Sequence, residues 1–346
     1  MSAKKDVRSL TLEEVLEFCL KNKLPKFRAK QIWEWLWKKR ALSFDEMTSL
    51  SKDLRELLYD NFTITPIKIH TAERSIDGTI KYSLQLHDKL LVESVLIPSR
   101  NRITACVSSQ VGCSLACDFC ATGKLKLERN LTAAEIYDQV FILNDESIAN
   151  FSKPLSNIVF MGMGEPLLNY TALLDSINLI TTENGLAMSP RRLTVSTAGI
   201  AKMIKKLADD KVKFNLAISL HAASNRKRDL LMPLNQKINL DKLRESVQYF
   251  YDKTETRVTY EYILFKGLND SLQDAQELVQ FTKASPCKIN LIEYNHVEDL
   301  PYKKSSNKAT ETFIKFLESN KLIVNLRRSK GKDISAACGQ LANKLK

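Results

Sequence analysis

The chain lacks any apolar run approaching the about 20 residues that a bilayer-spanning helix needs, which argues against a membrane-embedded protein. Residues 1–10 hold no apolar stretch long enough for a secretory leader. There is no internal repeat and no low-complexity segment. Seven cysteines is an odd count for a disulfide framework and points to a reducing, cytoplasmic compartment. What the chain has in excess is positive charge. Its 52 Lys and Arg against 40 Asp and Glu leave a formal net charge of +12. That balance favours a polyanionic partner, with RNA or DNA first. At 346 residues there is material for one large domain and a smaller one.

Residues 11–39 read as helices. Thr11 followed by Glu14 forms a capping-box pattern ahead of Val15, Leu16, Phe18 and Leu20. Phe27, Ile32, Trp33, Leu36 and Trp37 then repeat at helical spacing. Lys26, Arg28, Lys30, Lys38, Lys39 and Arg40 crowd the same stretch, either as a solvated face or as one laid on phosphates; their density favours phosphates. With a third helix at 51–61, residues 1–62 are expected to form a helical RNA-binding accessory domain. Residues 63–98 alternate in polarity between the turn pairs Asp77-Gly78 and His87-Asp88, as a β-hairpin or small meander does. Glu93 stands there among apolar neighbours, which suits a carboxylate on the polar face of an edge strand.

Beyond this, strand and helix patterns alternate. Strands are expected at 103–107, 157–161, 192–196, 214–220, 258–264 and 288–294, with a last one at 324–327. Helices are expected at 133–143, 171–182, 201–209, 240–251, 274–283 and 310–320. Such alternation implies an α/β fold, with parallel strands joined by crossover helices. Six units make a partial (β/α)6 barrel over residues 99–346, open on one side, with its chemistry at the C-terminal ends of the strands.

Cys113, Cys117 and Cys120 form a C-x3-C-x2-C run directly after the first barrel strand. Three thiolates can hold three irons of a [4Fe–4S] cluster, where ordinary clusters take four cysteines. The open iron is where radical SAM enzymes seat S-adenosylmethionine (SAM), and their spacing is the one found here. A structural zinc site with Cys106 as fourth ligand is the competing reading. At the other strand ends stand Gly162-Met163-Gly164-Glu165-Pro166, Ser196-Thr197-Ala198-Gly199, Ser219-Leu220-His221 and Asn295. Glycine allows close backbone approach to a ligand, and Glu165 can accept from an ammonium group. Cys338 lies near the cations of residues 327–332, which favour a thiolate; a buried structural cysteine is the alternative.

Taken together, Gln110-Val111-Gly112-Cys113, Cys120-Ala121-Thr122-Gly123, Gly162-Met163-Gly164-Glu165-Pro166-Leu167-Leu168-Asn169, Ser219-Leu220-His221-Ala222 and Ala336-Ala337-Cys338-Gly339-Gln340-Leu341 resemble the RlmN family of radical SAM methyltransferases. The resemblance covers nearly the whole chain. It implies methylation of C2 of adenosine in 23S rRNA and tRNA through an S-methylcysteine, with two SAM consumed per turnover. It implies that Cys113, Cys117 and Cys120 ligate the cluster, and that Gly164, Glu165, Ser196, Ser219, Leu220, His221 and Asn295 contact SAM. By the same resemblance Cys338 carries the methyl group, Cys106 resolves it through a disulfide, and Glu93 accepts the proton. One departure is Glu293, where the family usually has proline. A C8 methyltransferase of the Cfr group shares the cluster and both cysteines, and a non-catalytic zinc RNA-binding protein is the reading from another class. Flavodoxin or ferredoxin is the expected type of reductant, and a monomer the expected state. The target base must be unstacked at a cost of a few kcal/mol, offset by phosphate contacts from the helical domain, residues 327–332, Lys124, Lys126 and Arg129.

Overall fold

In the computed structural model, which describes residues 4–342, the chain begins with β1 (Lys5–Asp6), α1 (Leu12–Lys21), α2 (Phe27–Trp37), α3 (Lys52–Asn61) and β2 (Phe62–Thr63). The capping box forms in full: Thr11 Oγ1 accepts the Glu14 N–H at 3.1 Å, and Glu14 accepts the Thr11 N–H at 2.6 Å. β1 pairs in parallel with β2, tying the start of this segment to its end.

A meander follows, made of β3 (Lys68–Arg74), β4 (Ile80–Gln85) and β5 (Leu91–Ser99), and then β6 (Arg102–Cys106). β5 pairs antiparallel with β6, so the meander continues the main sheet. β7 (Gln110–Val111) and β8 (Arg129–Asn130) pair with each other and clasp the two ends of the cysteine loop.

Next come α4 (Ala133–Phe151), β9 (Asn157–Phe160), α5 (Tyr170–Thr181), β10 (Leu193–Thr197), α6 (Ala201–Asp209) and β11 (Asn215–Ser219). They lead into α7 (Asn225–Leu231), α8 (Leu240–Thr254), β12 (Val258–Leu264), α9 (Leu272–Thr282), β13 (Cys287–Glu293), α10 (Asn307–Ser319) and β14 (Ile323–Arg327). From β6 through β9 to β14 the strands run parallel, side by side in chain order. With β5, β4 and β3 they form one ten-stranded sheet whose edges are β14 and β3.

β12 and α6 span the ranges expected from periodicity, whereas α4 runs eight residues past its expected end at 143. Its apolar rhythm fades after Leu143, but the helix continues until Ser152 adopts a left-handed conformation and closes it. α7 was not expected, since its sequence NRKRDLL is mostly polar. It forms because Arg228 turns inward and is satisfied there.

One apolar core runs from the N-terminal helices into the barrel. Trp37 packs edge-on against Tyr137 of α4 at 5.5 Å, and the Tyr137 hydroxyl donates to the Trp37 carbonyl at 2.6 Å. Arg8 joins the same seam, 2.8 Å from Asp138 and 3.1 Å from Asp6. No described helix is long and apolar enough to cross a membrane.

Beyond β14 the chain reaches back to the β3–β4 turn. Asp333 accepts from the Ser75 hydroxyl at 2.5 Å and the Ile76 N–H at 3.1 Å, while Asp77 accepts the Gly331 N–H at 3.0 Å. This latch holds the start of the Cys338 loop between the two sheet edges.

Candidate active site

The cysteine loop is shaped by what it cannot contain. Gly112 has φ +79°, and a Cβ there would lie 1.9 Å from the Lys126 carbonyl oxygen, so only glycine lets the two ends of the loop meet. Phe119 anchors the loop, its ring edge-on to His221 at 4.7 Å and tilted on Phe265 at 5.7 Å. Burial pushes the Cys113 thiol up to about 11 and raises Cys117 and Cys120 as well; Cys120 raises Cys113 further, and both raise Cys117. They are therefore neighbours. Yet among the described residues no three His, Cys, Asp or Glu side chains converge on a site for a single ion. Three thiols gathered on one loop fit a four-iron cluster, in which each cysteine holds its own iron. The zinc reading also needed Cys106 as a ligand, and the thiol that acts on Cys106 is Cys338.

The strand-end residues surround this loop. Glu165 is buried, and its oxygens accept the Leu167 N–H at 3.0 Å and the Ala198 N–H at 2.7 Å. Burial lifts its carboxyl to about 7 against those hydrogen bonds. Gly164, at φ +94°, would place a Cβ 2.5 Å from the Gln110 Cβ, and Gly162 would place one 2.7 Å from the Val107 carbonyl. Ligand approach was the sequence-based reason for both glycines; packing against β7 and β6 is the reason the structure supplies. Ser196 and Ser219 are half-buried at the ends of β10 and β11. The backbone of Leu220 and His221 is already committed: both N–H groups donate to the Glu261 carbonyl, and their carbonyls accept from Arg228 and Asn269. The His221 Nδ1 accepts the Ile263 N–H at 3.2 Å, and burial next to Arg228 lowers this imidazole to about 3, so it is neutral. Asn295 is buried, donates to the Cys338 carbonyl at 3.4 Å, and leaves its own Oδ1 without a protein partner. An orphaned buried acceptor at this place is what a SAM amino or hydroxyl donor would satisfy. Glu293 does not displace it, since the carboxylate turns away to Lys304 and Lys332 at 3.0 Å each.

Cys106 is the last residue of β6 and buried, whereas Cys338 is exposed on the C-terminal loop. Both are free thiols. Burial, reinforced by the neighbouring Cys338, pushes Cys106 up to about 12. The loop docks onto the cysteine loop: the Ala121 N–H donates to the Gly339 carbonyl at 2.8 Å, and Thr122 Oγ1 to the Leu341 carbonyl at 2.6 Å. Glu93 closes the arrangement. It is buried on an interior strand, not at an edge, and accepts the Ala342 N–H at 2.8 Å. The structure thus gathers all three proposed catalytic side chains around one loop.

Two side chains here, Arg228 and Lys81, escaped the sequence reading, and Arg327 was read only as one of the cations near Cys338. Arg228 is buried under the strand ends, donating to the carbonyls of Ala198 (2.7 Å), Leu220 (3.1 Å) and Ser219 (3.3 Å) and to Asn235 (2.9 Å). Burial lowers its guanidinium to about 10 although Cys117 and Asp229 pull the other way. Arg327 of β14 lies near both Cys106 and Cys338 and pairs with buried Glu261 at 3.2 Å. Lys81 of β4 stands beside Glu93. A lysine in an alternating strand and an arginine in a polar helix look solvated, and only pairing across the fold reveals them.

A parallel half-barrel with a three-cysteine loop after its first strand defines a radical SAM enzyme, and residues 107–281 match the radical SAM superfamily. Residues 5–64 match the N-terminal domain of ribosomal RNA large subunit methyltransferases. The chain is 54% identical to a probable dual-specificity RNA methyltransferase RlmN of Flavobacterium psychrophilum, covering 99% of this chain and 98% of that one. It is 55% identical to its counterpart in Christiangramia forsetii, over 99% and 97%. The crystal structure of a radical SAM methyltransferase from Sphaerobacter thermophilus superposes with a TM-score of 0.92 at 37% identity, covering 98% of this chain and all of that one. The chain belongs to the RlmN family of radical SAM methyltransferases, enzymes of [4Fe–4S] and SAM chemistry.

Proposed function

We propose that this enzyme methylates C2 of adenosine in 23S rRNA and in tRNA. The observation that carries the reading is the neighbourhood of a buried Cys106 and an exposed Cys338 on a loop docked over the three-cysteine loop. Adenine C2 lies between two ring nitrogens and is electron-poor, so it does not attack the methyl of SAM as a nucleophile. A radical route with a protein-bound methyl group avoids this.

Cys113, Cys117 and Cys120 would hold the cluster, and Asn295 and the strand-end residues Gly164, Glu165, Ser196 and Ser219 would seat SAM, with Leu220 and His221 forming the wall behind. Bound there, the cluster and SAM together supply the 5′-deoxyadenosyl radical that activates an S-methyl group. The Cys338 thiolate accepts that methyl beforehand by displacement; its exposure lets it reach a donor. Once the activated carbon has joined C2, Cys338 is linked to the base through a methylene bridge. Glu93 then takes the C2 proton. The Cys106 thiolate attacks the Cys338 sulfur and the sulfur–carbon bond breaks. The freed methylene takes up a proton to become the methyl group, and the odd electron would pass to the cluster held by Cys113, Cys117 and Cys120. The Cys106–Cys338 disulfide is left for an external reductant such as flavodoxin or ferredoxin to open. We place the enzyme in the cytoplasm as a monomer, with the basic helical segment at residues 1–62 docking RNA.

The test is anaerobic turnover of unmodified rRNA and tRNA fragments with SAM and reductant, read by nucleoside mass spectrometry. 2-Methyladenosine that vanishes in Cys338→Ala is the expected result. 8-Methyladenosine would move the enzyme to the Cfr type, and no product from cluster-loaded protein would reject RNA adenosine as the substrate.

A further inference from the structure

Glu93 belongs to a row of charges that the chemistry above leaves unused. Lys81 Nζ lies 3.5 Å from Glu93 Oε1 and 3.0 Å from Glu73 Oε1. The three residues sit on the adjacent strands β5, β4 and β3, and Glu73 is the direct cross-strand partner of Lys81. Their side-chain exposures grade outward: 5% for Glu93, 8% for Lys81 and 42% for Glu73. The row therefore connects the candidate site to the solvent-facing edge strand β3.

A lysine this buried needs one carboxylate for pairing. Two carboxylates on opposite sides of one ammonium form a bridge. The other Glu93 oxygen is covered by the Ala342 N–H, so Lys81 is the ionisable group against this carboxylate. Among the described residues, uncharged groups also face Glu93. Ser83 lies directly across from it with a buried hydroxyl lacking a protein partner, and Met163 accepts the Glu93 N–H through its sulfur at 3.4 Å.

We infer that Lys81 and Glu73 carry the substrate proton from Glu93 to solvent. This rests on the reading of Glu93 as proton acceptor. A proton removed from C2 leaves its bonding pair in the ring and lands on a Glu93 oxygen. Lys81 gives one of its own protons to Glu73 and takes the one from Glu93. Lys81 ends as an ammonium, Glu93 as a carboxylate ready for another turnover, and Glu73 passes the proton to water. Lys81 touches no substrate; it acts through Glu93 and is a positioning residue.

The experiment uses the cluster-loaded, full-length enzyme over multiple turnovers with excess tRNA, SAM and reductant, because Glu93 accepts the first proton whether or not it can pass it on. Denaturing gels report the covalent Cys338–RNA adduct that precedes proton loss, and mass spectrometry reports product. Lys81→Met and Lys81→Arg should each slow product formation about tenfold or more and accumulate the adduct, because arginine keeps the charge but does not release a proton. Glu73→Gln, a substitution near the surface that leaves the fold intact, should slow product formation in the same sense and be rescued by a small diffusible buffer acid-base pair. Wild-type turnover without adduct in Lys81→Arg would overturn the route, leaving Lys81 as a fixed charge only. Glu93→Gln separates the two ideas. If it traps the adduct while the Lys81 variants do not, the exit route fails and Glu93 stands; if it turns over normally, the reading of Glu93 itself fails.

Discussion

The carboxylate of Glu93 accepts the backbone N–H of Ala342 at 2.8 Å, so the candidate proton acceptor is capped by the segment that carries Cys338. A base entering the site must take the place of this cap. The loop is held at two ends, by Asp77 and Asp333 at the β3–β4 turn and by Ala121 and Thr122 at the cysteine loop.

Loosening either end should free the Ala342 N–H from Glu93. Thr122→Val removes one hydrogen bond to the loop, worth about 1 kcal/mol, and should raise the open fraction about fivefold. Asp333→Asn should act in the same direction. Hydrogen exchange at the Ala121 and Ala342 amides, both engaged only while the loop is docked, measures this; unchanged rates in both variants would mean that the clamps do not govern the loop.

The seam between the N-terminal helices and the barrel should be sensitive to Arg8 and to acid. Arg8→Met leaves buried Asp138 with the longer contact to Arg40 at 3.6 Å and the Ile67 N–H at 3.2 Å, and a loss of about 3 kcal/mol is expected. Burial alone would raise Asp6, but the Arg8 charge and several hydrogen bonds outweigh it and hold the carboxyl below its usual range. A carboxyl lowered by folding stabilises above its unfolded pKa of about 3.9 and loses that contribution as pH falls through the folded value. Melting temperatures of wild type and Asp6→Asn should differ at neutral pH and converge in acid.

Arg228→Met should collapse the strand-end pocket, since it removes the donor that ties together the carbonyls of Ala198, Ser219 and Leu220, of which Leu220 keeps the Ala222 N–H. Weaker SAM binding by about tenfold or more and a lower melting temperature are expected, both measurable without turnover. A variant that binds SAM with wild-type affinity would show that these carbonyls find other partners.

Gly164→Ala meets two obstacles, a φ of +94° and a contact of 2.5 Å with the Gln110 Cβ. Together they should cost about 1–3 kcal/mol and displace Gln110, whose side chain accepts the Glu165 N–H at 2.7 Å. Calorimetry settles it, and an unshifted melting temperature would mean the turn after β9 relaxes freely.

Much of this was legible in one dimension. Period-2 and period-3.6 patterns are local, so the order of strands and helices, the capping box at Thr11 and the loop of Cys113, Cys117 and Cys120 could be read directly. Cys338 stands inside the family motif Ala336–Leu341, whereas Glu93 lies outside the family motifs and was marked only by what the resemblance implies. Residues whose role lies in a partner far along the chain were not legible. Arg228 sits in a helix that looks solvated, and Lys81 alternates with apolar residues as any exposed strand lysine does.

The amino-acid sequence by itself determined the cysteine spacing, the β–α alternation and the excess of basic residues, since each is a property of neighbours along the chain. Tertiary structure decided which charges became buried and with whom. It set Glu93 against Lys81, Arg228 against the strand-end carbonyls, and Cys106 against Cys338. Burial makes such pairings compulsory, because an ion or thiol removed from water must find its partner in whatever the fold places beside it.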